Sequence, residues 1–524
     1  MDAKQQDLED RLAEILRHAA DVASQIQRHE QGPGTPQYGQ IETAAHDVGQ
    51  RLSRMVQQDR TGQLSAADAT EATCPECRNK CPVESKSRQV TSVDGPVELM
   101  ETVAFCSRCR RAFFPQRTAL GFDARESTPG FKRQLVVLNA ETRSLKRVKV
   151  VAARVLGQSV STNTIERICL DVGEDLAIAE QQQWKGVING QVPIPSLAIV
   201  EFDGGRIRTR KTGCGPGVHL EAKGWNETKN AIFVSAVSTL SDIDPHPEPP
   251  RCFLDPDHIA KLAESAKTTE TEASNDDSAD EATPAENADQ SSERDAHKPR
   301  RLLRTFLSSM STSHDFGPQM RREAQRRRFD GARRKAFVGD GLPCNWTIQK
   351  THFRDYVPIL DFVHAVSHLF AASVACFGKT EEAWNAYTTW MCRVWQSDVV
   401  SVIDELKSHK RRIGEPPDGV GDDDPRERLR LEIGYLENNG NRMDYVSYRC
   451  QGLPTTSAWM ESAVKELNYR VKGTEMFWNN PSGAEAILRI RAAALSDDDR
   501  LVRLLTNRPG QATIRRVSEK SQAP

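Results

Sequence analysis

Two short apolar runs that each end in Asp-Gly, LAIVEFDG at Leu197–Gly204 and AFVGDG at Ala336–Gly341, constrain this chain more than any other feature. Runs of this length and composition read as buried strands. A carboxylate at the tip of a buried strand is costly unless a cation meets it there. A third acid, Glu461, lies in WMESAVKELNYRVK (Trp459–Lys472), which reads as a helix with a basic end. Hard divalent ions such as Mg²⁺ choose carboxylate oxygens and keep open positions for phosphate and water. Two strand-end aspartates with a helical glutamate are therefore the donor set of a two-metal phosphodiester-cleaving centre. Asp-Gly is also an ordinary hairpin signal, so it is the ordered trio, and neither aspartate alone, that carries the reading.

Composition sets the frame. The 524 residues leave room for roughly three domains, and no apolar run approaches the ~18 residues of a membrane span. The N-terminal MDAKQQDLEDRLAEILRHAADVASQI reads as a charged amphipathic helix, with Leu8, Leu12, Ile15, Ala19 and Val22 at helical spacing, rather than as a signal peptide. Twelve cysteines without a secretory signal point to a reducing, cytoplasmic setting, where paired cysteines hold metal more often than they form disulfides. The net charge of −2 hides an asymmetry. Glu264–Asp295 is acidic and lacks large apolar residues, whereas Pro299–Lys335 is strongly basic. The acidic stretch is expected to be disordered.

The motifs divide the chain. Residues 1–60 read as a helical region. Residues 70–120 carry Cys74, Cys77, Cys106 and Cys109 as C-x₂-C-x₂₈-C-x₂-C, the spacing of two knuckles that close a tetrahedral structural Zn²⁺ site, a zinc ribbon. Cys81 lies nearby without a partner at ligand spacing. Residues 130–180 are helical, and Leu145–Leu176 resembles a helix-turn-helix. In it Ser161, Thr162, Asn163 and Arg167 are placed to meet base edges or phosphates. Residues 195–495 alternate strands and helices. LAIVEFD, a tight turn at Gly204-Gly205 and RIRTRK read as a hairpin, followed by a strand at Ala231–Leu240. The acidic linker (264–299), a basic helix at Pro318–Arg334, the strand ending at Asp340, a helix, the strand Tyr356–Asp361, a helical insertion (370–450) and the Glu461 helix come next. Residues 496–524 read as a flexible tail. This is the element order of an α/β, RNase H-like catalytic domain with a helical insertion, in which acids ending strands one and four meet an acid on the last catalytic helix.

Taken together, DGG after the first strand, VGDG, PILDFVHAVSHL and MESAVKELNYRVKGTEMFW followed by AILRIRAA resemble DDE transposases of bacterial insertion sequences, the ISKra type, a branch similar to the mutator-like and hAT transposases. The resemblance covers roughly Cys74 to Ala494. It implies two Mg²⁺ (or Mn²⁺) ions held by Asp203, Asp340 and Glu461, with Asp361 and His364 (DFVH) as an accessory motif; the rival reading makes Asp361 the second catalytic acid. Ala458 stands where the family pattern has a Gly. The implied activity is cleavage and strand transfer of double-stranded DNA at terminal inverted repeats, by a homo-oligomer on DNA in the nucleoid, with no membrane role. Arg206, Arg208, Arg210, Lys211, Lys465, Arg470 and Lys472 are then candidates for phosphate contacts. Trp384, Trp390 and Trp395 read most simply as core of the insertion. Two other readings are an inactive or domesticated zinc-ribbon DNA-binding protein, and a nuclease of the same fold without strand transfer.

Overall fold

Long helices open the chain, because its first 66 residues are rich in good helix formers and their apolar residues recur every three or four positions. The computed structural model describes residues 3–66, 70–123, 125–188, 192–210, 224–262, 295–472 and 477–511. Two compact units divide it: Met1–Leu138 with Lys146–Thr162 and Leu505–Pro524, and Asn139–Leu145 with Asn163–Leu504. The chain is mixed α/β, with two sheets. No described helix is long and apolar enough to cross a membrane.

In the first unit, α1 (Ala3–Gln31) buries none of its residues, and α2 (Tyr38–Ala66) buries only Ser65. An antiparallel sheet follows in chain order: β1 (Glu71–Thr73), β2 (Lys80–Ser92), β3 (Gly95–Cys106) and β4 (Arg111–Phe113). Three short helices complete the unit's ordered elements, α3 (Arg117–Leu120), most of α4 (Pro129–Glu141) and α5 (Leu145–Val155). The helix α6 (Thr162–Gln181) then lies, from Asn163 on, in the second unit, so the two helices expected to form a helix-turn-helix belong to different units.

The second unit is organised by a five-stranded sheet in the order β7-β6-β5-β8-β9, made of β5 (Leu197–Arg208), β6 (Trp225–Val237), β7 (Arg300–Ser309), β8 (Arg334–Gly339) and β9 (Val357–Leu360). β5 runs antiparallel to β6 and parallel to β8, and β8 is parallel to β9. Leu197–Phe202 and Ala336–Gly339 are buried without a break, as expected of central strands with both faces covered. The helices are α7 (Ser313–Arg326), α8 (Pro343–His352), α9 (Phe362–Phe377), α10 (Glu381–Trp395), α11 (Val399–Ile413), α12 (Pro425–Asn439), α13 (Tyr445–Cys450), α14 (Ala458–Val471), α15 (Pro481–Ala494) and α16 (Arg500–Asn507). α14 packs on β5 and β6, and α15 on β7.

The structure corrects the expected strand map in four places. There is no turn at Gly204-Gly205: β5 continues through both glycines to Arg208, paired with β6 from Trp225 onward. The glycines serve close packing instead, since a Cβ on Gly205 would stand 2.7 Å from Thr228 Oγ1 on the neighbouring strand. The strand expected at Ala231–Leu240 begins earlier and ends at Val237. The basic helix spans Ser313–Arg326, not Pro318–Arg334, because Thr312 caps its start and Pro318 lies within its early turns. Finally, Arg300–Ser309 is an edge strand, hidden in the sequence by its three arginines at one end. The hairpin strand that does not exist and the edge strand at Arg300–Ser309 offset each other, so Asp203 lies on the first strand of the sheet and Asp340 directly follows the fourth. The expected acidic linker lies, from 263 to 294, outside the described residues.

Candidate active site and thiolate centre

The thiolate centre is assembled by a local device. Cys74 and Cys77 lie between β1 and β2, Cys106 ends β3 and Cys109 lies between β3 and β4. Each pair is followed by an arginine in the left-handed region, Arg78 (φ 62°) and Arg110 (φ 53°), which turns the chain back into the next strand. The Sγ–Sγ distances are 3.9 Å for Cys74–Cys109 and 3.5 Å for Cys77–Cys106, and all four sulfurs lie within 4.8 Å of one another. Tetrahedral ligands with Zn–S of about 2.3 Å stand roughly 3.8 Å apart, so this set is able to hold a structural zinc. The Cys109 amide donates to Cys106 Sγ (3.4 Å) and pulls that thiol down to about 6, towards the ligand form. Cys81 is buried beside this cluster, its thiol raised first by burial and then by its contact with Cys106.

The acids occupy one edge of the second unit's sheet. In the parallel ladders Phe202 pairs with Gly339, and Gly339 with Leu360. The next residue in each case is an aspartate: Asp203, inside β5, and Asp340 and Asp361, just past the ends of β8 and β9, stand at equivalent positions across three adjacent parallel strands, where neighbouring strands are about 4.8 Å apart. The Asp361 amide confirms the step by donating to Gly339 O at 3.0 Å. Symmetry of register explains why Asp340 and Asp361 could not be separated in the sequence.

Their hydrogen bonds do separate them. Asp361 is 3% exposed and commits both oxygens: Oδ1 accepts from the Val363 amide (2.9 Å), capping α9, and Oδ2 accepts from the Ser457 hydroxyl just ahead of α14. Asp340 is half-buried, and only Oδ1 is engaged, by the Leu342 amide (3.0 Å) and Asn345 Nδ2 (2.5 Å). Its carbonyl accepts from Tyr435 of α12 (2.7 Å), so the helical insertion reaches the site. Gly341 (φ 97°) permits that approach, because a Cβ there would lie 2.5 Å from the Tyr435 hydroxyl.

Charge ties the acids together. Asp203 is pushed up to about 7, first by burial and next by Asp340, with His364 and the Gly204 amide opposing. His364, on α9, stands 4.0 Å from Asp361. Burial works against its charge, yet Asp361, Asp340, Asp203 and Glu461 together hold it above the usual imidazole range. Glu461, in the first turn of α14, is exposed and paired with Lys465 at 3.1 Å. Among the described residues the four cysteines form the one potential metal group with ligand atoms inside 4.8 Å; the carboxylates are not drawn in to that distance.

Glu201 was not anticipated, although an acid inside an otherwise apolar strand is a signal in itself. Two residues before Asp203 and on the same face, it is fully buried, and its Oε2 accepts from the Met460 amide (2.8 Å) at the start of α14. Its burial raises it well above the ordinary carboxylate range. Ser457 makes no cap bond to α14, so the strand supplies what the helix lacks.

The expected phosphate contacts divide. Arg206, Lys465 and Lys472 are exposed, while Arg208 is half-buried with its guanidinium over Trp225, and Arg210 is half-buried as well. Lys211 lies outside the described residues. Arg470 is a correction: it is 1% exposed and donates to Asn139 O (2.9 Å), Asn139 Oδ1 (2.6 Å) and Arg143 O, which leaves no donor face for DNA. Ser161, Asn163 and Arg167 are exposed and Thr162 half-buried at the start of α6. Trp390 and Trp395 are core residues, at 0% and 3% exposure, and Trp384 is partly covered. Comparison with family models and with curated proteins finds no match for this sequence.

Proposed function

We propose that the chain is a DDE-type DNA transposase whose second unit is an RNase H-like catalytic domain. The observation that carries this reading is the row Asp203, Asp340, Asp361 at equivalent positions across adjacent parallel strands, with His364 under the influence of all three and of Glu461. Oxygen-only donors of this kind suit Mg²⁺ or Mn²⁺. Asp203 and Glu461 and the free Oδ2 of Asp340 would hold the ions, which when bound supply Lewis acidity towards a phosphodiester.

The chain's own residues do the remaining work. Asp361 fixes the starts of α9 and α14, and His364 offsets part of the negative charge before a cation arrives. Glu461 must exchange Lys465 for that cation. Arg206 and Lys472 are available for phosphate contacts. The double-stranded substrate would be terminal inverted repeats and target DNA, in the nucleoid of the cytoplasm. Self-association is supported by α1, whose Leu8, Leu12, Ile15, Ala19, Val22 and Ile26 repeat in alternating steps of four and three, the spacing of a coiled-coil seam. The Cys74–Cys109 centre would carry a structural zinc in the DNA-binding part.

Two observations favour a second reading. The carboxylates are not gathered to ligand distance and Glu461 is already paired, as in a zinc-ribbon DNA-binding protein that has lost catalysis. Asp203→Asn decides between them. In the transposase it lowers Mg²⁺-dependent cleavage of inverted-repeat DNA by roughly a thousandfold or more while leaving DNA affinity and folding intact. Wild-type protein that binds these ends but never cuts them selects the binder. Cutting without joined products selects a nuclease.

A further inference from the structure

The helix expected to read DNA was α6, yet the more strongly built cationic surface is on α5. Between Glu141 and Glu166 the sequence contains no Asp or Glu, in a chain with 73 acids among 524 residues. Within that stretch α5 presents Lys146, Arg147, Lys149, Val150, Ala153 and Arg154, all exposed. At 3.6 residues per turn they follow one another around about 160° of the helix. On the opposite side Val148 and Ala152 are fully buried, and Val155, at the end of the helix, is exposed. Lys146, Lys149 and Arg154 have no acidic partner among the described residues. A face made only to be solvated would carry acids as well, at the i±4 positions that stabilise an isolated helix.

We infer that the outer face of α5 is a binding site for the phosphate backbone of duplex DNA, lying in the first unit with the thiolate centre. This rests on the nucleic-acid reading above but on none of its catalytic residues. The shape of the face selects the occupant. One turn and two turns on from Lys146, Val150 and Ala153 lie between Lys149 on one flank and Arg154 and Arg147 on the other, so the backbone of α5 can come close to its ligand there. A helix about 10–12 Å across and roughly 16 Å long enters the ~12 Å major groove of B-form DNA. The deep, narrow major groove of duplex RNA excludes it. An anionic membrane is the poorer match, because interfacial helices insert a broad apolar face, whereas on α5 Val148 and Ala152 are buried and the exposed Val150 and Val155 stand about 140° apart around the helix.

The test uses the full chain and a labelled random-sequence DNA duplex of about 30 base pairs, with anisotropy read across a salt series. Replacing Lys146, Lys149 and Arg154 together by Gln should weaken binding roughly 10- to 100-fold near 0.1 M salt and lower the log–log salt slope by about 2.7, at about 0.9 for each phosphate contact. Zinc content and melting temperature should not move, since the three side chains are exposed. The Lys146→Arg, Lys149→Arg variant should bind like wild type, which separates charge from side-chain identity. An unchanged affinity and slope in the Gln variant overturns the inference while leaving the transposase reading standing. A duplex RNA or a polyglutamate peptide bound more tightly than DNA, with the same sensitivity to the three substitutions, also overturns it. Wild-type protein that ignores duplex DNA even near 50 mM salt brings down the DNA-directed function as well.

Discussion

The two groups of candidate metal ligands solve the same problem in opposite ways. The four cysteines lie within 35 positions of sequence, on paired strands, and their sulfurs already sit at ligand spacing. The acids come from positions as distant as 203 and 461, on strands and a helix, and stand apart. Thiols can approach one another while protonated, and here one is already pulled towards the thiolate. Carboxylates brought together without a cation repel, and at Asp203 burial first and the Asp340 charge next raise the carboxyl to about 7. A structural centre is closed by its local fold, whereas a centre for chemistry needs an open, charged and partly exposed edge.

The largest effect that would break this contrast is at the sulfurs. Replacing Cys74 and Cys77 together by Ser should remove one equivalent of zinc and, with about 10–16 kcal/mol of metal binding at stake in structural sites, leave β1–β4 open to proteolysis. A full zinc complement in that variant would refute the site. Next comes the middle acid. Asp340→Asn should abolish the response to Mg²⁺, read by isothermal titration, without lowering the melting temperature. Asp361→Asn should keep the Mg²⁺ response but cost about 1–3 kcal/mol in urea unfolding, through its cap of α9 and its bond to Ser457. The reverse pattern would make Asp361 the ligand.

Smaller effects sharpen the picture of the acidic edge. Gly341→Ala forces a Cβ at φ 97° against the Tyr435 hydroxyl and should destabilise the chain by about 1–3 kcal/mol; an unchanged unfolding midpoint would show that the Tyr435–Asp340 contact does not exist in solution. The least effect is one of pH. Burial, then Asp340, raises Asp203 to about 7, above its unfolded value near 4. The folded, metal-free chain therefore binds the extra proton, so this contribution is fully present below about pH 4 and is lost as pH rises towards 7. Asp203→Asn should flatten the stability profile over that window, and parallel profiles for the two proteins would exclude the raised Asp203 carboxyl.

Much of this was legible in the chain. The cysteine spacing located the thiolate centre because a knuckle is set by residues a few positions apart. The apolar runs located β5 and β8, since a strand covered on both faces has little but apolar residues to offer. The turn at Gly204-Gly205 was misread because a glycine needed for a neighbour's side chain looks the same as one needed for a turn. The strand Arg300–Ser309 was passed over because edge position excuses its charges, and edge position is not a local property. Arg470 reads as a phosphate contact in the sequence, and only the fold pairs it with the end of α4 and the loop after it.

By itself the sequence determined which residues are candidate ligands, their order along the chain and the cation-rich, acid-free stretch around α5, because these depend on residue type and short-range spacing. Only the tertiary structure decided that Asp203, Asp340 and Asp361 share one register, that Asp361 is spent on two helix starts, and that Glu201 anchors the helix of Glu461. Those facts arise from contacts between segments up to 259 residues apart, and nothing in a local pattern records which distant partner a buried carboxylate will meet.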